Sequence, residues 1–138
     1  MGRWNRALLL AVLVLCVFFT GGCTFVKAEK EDTTSLDYTI VREEDIPQEL
    51  ARLIDEKKEK EFQMTYKSED FLYLLRGYGQ QMSGGYSIEV EELSLGKEAV
   101  FLKTRLLGPG QGEKQSREPS YPYIVIKMPY RQEPVKFL

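Results

Sequence analysis

The sequence contains no histidine, and its two cysteines are Cys16 and Cys23. The first absence removes Ser–His and Cys–His nucleophilic systems and every zinc site that uses imidazole. The second leaves no pair for a disulfide after residue 23, so the folded part has to be held by a packed core. The single tryptophan, Trp4, also sits near the amino terminus. Charge of neither sign dominates: 19 basic and 21 acidic residues give a net charge of −2. Such a chain has no bulk electrostatic attraction for nucleic acid.

Long apolar runs are missing too, with one exception. Arg3 and Arg6 precede the unbroken run Ala7 to Phe19, and Thr20-Gly21-Gly22 places small residues just before Cys23. This is the layout of a secretory signal with a small-residue cleavage site. Because a cysteine follows directly, the stretch resembles a bacterial lipoprotein signal peptide (residues 1–22). That resemblance implies lipidation of Cys23, with diacylglycerol and palmitate anchoring the chain to the outer face of the cell membrane or envelope. Thr20 stands where the lipoprotein pattern prefers Leu. A competing reading is an uncleaved span from Ala7 to Val26, about the minimum length for a membrane helix. Myristoylation at Gly2 is discarded because position 6 is Arg. Cleavage before Cys23 removes 22 of 138 residues and leaves 116. It takes two of the 19 basic residues and none of the 21 acids, so the net charge becomes −4.

Residues 23–35 are polar and read as a tether, with a single domain over 36–138. Asp37 to Val41 is rich in β-branched and aromatic residues and predicts a short strand. Asp45 is a candidate helix cap, and Pro47 suits a first helical turn. The spacing of Ile46, Leu50, Leu53 and Ile54 predicts a helix over 47–60 with one apolar stripe. Arg52–Glu56 and Glu56–Lys60 are placed to pair on its outer surface. The period then changes to two: Phe62, Met64 and Tyr66 alternate with polar residues. Phe71 to Arg76 is almost wholly apolar, as expected of a strand covered on both faces. A glycine-rich loop follows from Gly77 to Gly85. Tyr86–Leu95 and Ala99–Leu107 predict a hairpin, and Tyr121–Met128 a further strand between Pro122 and Pro129. Residues 108–120 form a second long loop. The fold class expected is α+β: one amphipathic helix packed on a mostly antiparallel sheet of about five to six strands.

Nothing in the chain reads as catalytic, and no metal or cofactor is expected. The acids cluster as surface pairs such as Glu43-Glu44-Asp45 and Glu91-Glu92, without the oxygen-ligand spacing of a calcium loop. Gly79 to Gly84 satisfies the first six places of a phosphate-binding loop, but Gly85 and Tyr86 stand where Lys and Ser or Thr are required. A dinucleotide fingerprint starting at Gly77 fails at Met82. A strand follows this loop, so no helix amino terminus faces an anion, and no nucleotide partner is expected. Two readings remain. Gly77, Gly79, Gly84 and Gly85 supply positive φ angles between strands, with Tyr86 in the core. Alternatively Gln80, Gln81, Met82, Ser83, Gly84, Gly85 and Tyr86 form a partner-binding surface.

The run Gly79-Gln80-Gln81-Met82-Ser83-Gly84-Gly85-Tyr86-Ser87, followed by a hairpin, by GPGQGEKQ and by YPYIVIKMP, resembles the carboxy-terminal domain of PrcB-type protease complex subunits. The family segment reads Gly-x-x-x-Thr-Gly-Gly-Tyr-Ser, and Ser83 replaces Thr while keeping a hydroxyl. The resemblance covers about residues 71 to 130. It implies a non-enzymatic bacterial lipoprotein that binds protein as an accessory subunit, with an exported protease or another envelope protein as partner. Ser83-Gly84-Gly85-Tyr86 is also similar to the Thr-Thr-Gly-Tyr loop of chagasin-type cysteine protease inhibitors, although a helix is out of place in that all-β fold. Direct protease inhibition, or a structural envelope role without a dedicated ligand, are the alternatives.

Overall fold

The computed structural model describes residues 32–111 and 116–138. The expected signal peptide, the lipidation site Cys23 and most of the tether lie outside the described residues. In chain order the elements are β1 (Thr34–Ser35), β2 (Thr39–Ile40), a 3-10 turn (Glu43–Asp45), α1 (Gln48–Lys57), β3 (Glu61–Ser68), β4 (Phe71–Tyr78), β5 (Ser87–Leu95), β6 (Val100–Leu107), β7 (Tyr123–Pro129) and β8 (Val135–Phe137).

Two strands that are apolar on both faces organise the fold. β4 buries Leu72 and Leu74 on one side and Tyr73 and Leu75 on the other. β7 buries Ile124, Ile126 and Met128 on one side and Val125 on the other. Alternating side chains demand cover on both faces of such strands. One helix covers only one face, and a second sheet supplies the other. The result is α+β, but with two four-stranded sheets rather than the expected single sheet of five to six. Their orders are β1-β5-β6-β8 and β2-β7-β4-β3, and every pairing is antiparallel except β6 with β8.

The core between the sheets joins Leu72, Leu74, Ile124 and Ile126 to Leu93, Val100 and Leu102. On the far side of the β2-β7-β4-β3 sheet, α1 lays Leu50 and Ile54 against Tyr73, Leu75 and Val125. Ile46, Leu53, Phe62, Met64 and Tyr66 close the margin of that layer. The helical stripe and the period-two face of β3 therefore meet as their spacing requires. Each fully buried Leu or Ile contributes about 1.5–3 kcal/mol by leaving water.

Local expectations changed at four places. Asp45 does not cap the helix: it lies in the 3-10 turn and accepts a hydrogen bond from Arg42 Nε at 2.9 Å, while the residue preceding the helix, Pro47, has no side chain able to cap it. The helix ends at Lys57, and Lys58 pairs with Asp55 at 2.8 Å in place of the expected Arg52–Glu56 and Glu56–Lys60 pairs. Thr34 and Ser35, read from sequence as the end of the tether, pair with Leu95 and Ser94. The hairpin β5–β6 forms, but carries a bulge between Val90 and Glu92. The bulge has a clear physical role. Ile88 and Val90 face the core, and a regular strand would next turn Glu92 and Ser94 inward. One extra residue resets the alternation so that Leu93 and Leu95 pack inward instead.

Candidate functional site

The connections β4–β5 and β6–β7 meet at one end of the sandwich, beside the carboxyl end of α1. The glycine-rich loop is shorter than its sequence implies, because β4 runs on through Gly77 and Tyr78. Gly77 is a strand residue opposite Phe62. A Cβ on it would lie 2.1 Å from Phe62 Cε1, so the glycine makes room for the ring of the neighbouring strand. Of the four glycines expected to supply positive φ, Gly79 (φ 72°) and Gly85 (φ 87°) do so. Both are also sterically confined: a Cβ would meet the Glu61 backbone nitrogen at 3.0 Å and Pro109 Cβ at 2.9 Å respectively.

The two loops clasp each other. Gln81 N–H donates to the Ser120 carbonyl at 2.8 Å, and Ser120 N–H donates back at 3.0 Å. Gly84 N–H donates to the Ser116 carbonyl at 3.2 Å, and Ser120 Oγ donates to the Ser83 carbonyl at 2.6 Å. Gln80 N–H ties the loop to the Glu59 carbonyl at 3.1 Å, just past α1. Tyr78 N–H reaches the Pro122 carbonyl at 3.0 Å, and its hydroxyl meets Thr104 Oγ1 at 2.6 Å. Backbone groups that no strand neighbour can reach are thus paired across the clasp.

The expected site residues divide between building the clasp and facing solvent. Gln81 is half-buried, and its Nε2 is spent on the Tyr78 carbonyl at 3.1 Å. Ser83 and Gly84 are half-buried, with Ser83 Oγ donating to the Gly84 carbonyl at 3.3 Å. Tyr86 is half-buried, and its ring lies 3.8 Å from the position a Cβ would take on Gly108. Gln80 and Gly85 are exposed, and Met82 stands out with 82% of its surface in solvent. No charged residue occurs from Gly77 to Ser87, so this surface offers an apolar thioether and hydrogen-bonding groups rather than ionic attraction.

Sequence reasoning missed the residues that hold the loop: Pro109, Ser116 and Ser120. It also missed a cleft of about 320 Å³ beside the clasp, between the β2 segment and the start of β7. Tyr121 and Tyr123 line it, together with Ile40, Val41, Ile46 and Glu43. Lys58 Nζ lies 5.6 Å from the Tyr121 ring centre. Burial, and then the carboxylates of Glu43 and Asp55, hold the Tyr123 hydroxyl above its ordinary pKa. The hydrogen bond and charge of Asp55 hold Lys58 above its own.

Comparison with known proteins bears on this same region. No curated protein and no solved structure matches the chain. The family described as PrcB C-terminal matches residues 72–129. That segment starts at the second residue of β4 and ends at the last of β7, so it contains the clasp, the bulged hairpin and most of the inter-sheet core. Residues 72–129, where the sequence resembles PrcB, thus match the PrcB C-terminal family model.

Proposed function

We propose that this protein is a non-catalytic, lipid-anchored envelope protein that binds another protein as an accessory subunit, with an exported protease complex as the partner. The family match over residues 72–129 supports association with a protease complex. The Cys23 leader supports export and anchoring. The observation that carries the binding reading is Met82, 82% exposed on a loop whose backbone is pinned on both sides. A large apolar side chain held out by a preorganised loop loses little conformational freedom when a partner covers it.

Thr34 pairs with Leu95, at the end of β5 far from Ser87, where the clasp lies, so Thr34 and Met82 stand at opposite ends of the sandwich. The test is capture of partners from detergent-solubilised envelopes with the full chain and with Met82→Asp. Gln81→Ala is a poorer probe, because the Gln81 amide holds the Tyr78 carbonyl. Loss of the co-purifying protein with Met82→Asp supports the proposal, and unchanged recovery removes the clasp from the interface.

A further inference from the structure

The cleft beside the clasp has an unfinished strand edge. β2 pairs Thr39 and Ile40 with Lys127 and Ile126, and Val41 N–H adds one bond to the Val125 carbonyl at 2.9 Å. The chain then turns away into the 3-10 turn at Glu43. Tyr123 and Ile124, at the start of β7, have no strand on that side. Beyond them the cleft opens, with Ile40 53% exposed at its lip. An uncovered strand edge beside a groove of mixed polar and apolar lining has the form that accepts an extended peptide as an added strand.

The charges select the occupant. Glu44 and Asp45 share Arg42, at 3.1 and 2.9 Å. Glu43, the charged residue that lines the cleft, has no ion pair among the described residues. Lys58, the neighbouring cation, is held by Asp55 at 2.8 Å. The cleft wall also carries the rings of Tyr121 and Tyr123. A lone carboxylate beside two phenol rings suits a guanidinium or ammonium group.

We propose that this cleft binds an extended segment of a partner protein, which adds to the free edge of β7 and places an arginine or lysine between Glu43 and the two tyrosine rings. The inference rests on the protein-binding reading above and gives the partner segment its chemistry: alternating apolar residues with a central cation.

The test uses the full chain in detergent and four fluorescein-labelled nine-residue peptides of alternating Ser and Val, with Arg, Lys, Gln or Glu at the fifth position. Fluorescence anisotropy is expected to rank Arg and Lys about tenfold or more tighter than Glu, the scale of one close charge pair. Glu43→Lys is expected to reverse that order while leaving the thermal melt unchanged, since Glu43 is exposed. Ile40→Asp is expected to weaken all four peptides. N-methylation of the peptide amides facing β7 is expected to abolish binding, which side-chain docking alone would not require. Absence of binding by all four peptides, equal binding of Arg and Glu peptides, or a preference untouched by Glu43→Lys overturns the proposal. Envelope capture with Met82→Asp separates the two readings: lost capture with intact peptide ranking upholds both, and intact capture with intact ranking removes the clasp but keeps the cleft.

Discussion

The two ends of the sandwich satisfy their connecting backbone differently, although each carries a link that changes sheets, β7 to β8 at one end and β4 to β5 and β6 to β7 at the other. At one end β3 and β4 are joined by Glu69-Asp70, with Glu69 at φ 53°, and β5 and β6 by a turn closed by Gly96 N–H on the Ala99 carbonyl at 2.9 Å. These links join neighbours within one sheet, so the adjacent strands satisfy the backbone. At the other end both links change sheets: β4 to β5 crosses one way and β6 to β7 returns. A crossing loop has no adjacent strand for its N–H and C=O groups. Here each loop supplies partners for the other, through Gln81, Gly84, Ser116 and Ser120. The β7–β8 link also crosses, but does so in residues 130–134 without a glycine, so the length and glycine content of the clasp go with the mutual pairing of its two loops. On the proposed function, Met82 and Gln80, whose side chains the clasp does not use, and the neighbouring cleft are the candidate contacts.

The largest effect is expected in the core that both ends share. Leu74→Ala empties a fully buried site and is expected to lower unfolding free energy by about 2–5 kcal/mol, read by urea denaturation. Next come the glycines. Gly79→Ala forces a Cβ at φ 72° to within 3.0 Å of the Glu61 backbone and is expected to cost about 1–3 kcal/mol. Gly96→Ala, in the tight turn at the opposite end, has no positive φ to strain and is expected to change stability by less than about 0.5 kcal/mol. Equal costs would mean the clasp end is no more constrained than the turn end.

A smaller effect isolates the clasp itself. Ser120→Ala removes the hydroxyl that donates to the Ser83 carbonyl at 2.6 Å and is expected to cost about 1 kcal/mol. Hydrogen exchange should accelerate at Gln81 and Gly84 and stay unchanged at Gly96. The smallest effect lies in tyrosine titration. The hydrogen bond to Glu49, and burial, raise the pKa of Tyr66, while burial raises that of Tyr123. Their folded values exceed the unfolded one, so the stability they contribute is complete below the ordinary tyrosine pKa and is lost as pH rises through the raised values. Ultraviolet titration should show two late phenols in the wild type, and Glu49→Gln should bring Tyr66 back toward its ordinary value.

Much of this organisation is legible along the chain because it is local. The stripe from Ile46 to Ile54, the alternation from Phe62 to Tyr66 and the β5–β6 hairpin each depend on side chains a few residues apart. The second sheet was also written there, in the doubly apolar runs of β4 and β7, although an extra cover is easily mistaken for more strands in one sheet. The clasp was not. Gln81 and Ser120 lie far apart in sequence, and neither residue type demands the other. Gly77 shows the same limit: its sequence context groups it with the loop glycines, and only the Phe62 ring across the strand pair gives it a different reason to be glycine. The cleft depends on where β2 stops pairing, which no pattern within Thr39–Val41 specifies.

On the proposed function, partner recognition belongs to the clasp end. Quantitative recovery of co-purifying protein from detergent-solubilised envelopes, compared between Met82→Asp and Glu98→Arg, tests it directly. Both side chains are exposed, at opposite ends of the sandwich. The account predicts at least about a tenfold loss with Met82→Asp, the size of a 1.4 kcal/mol contact, and full recovery with Glu98→Arg. Equal recovery from both variants, or loss confined to Glu98→Arg, would contradict it.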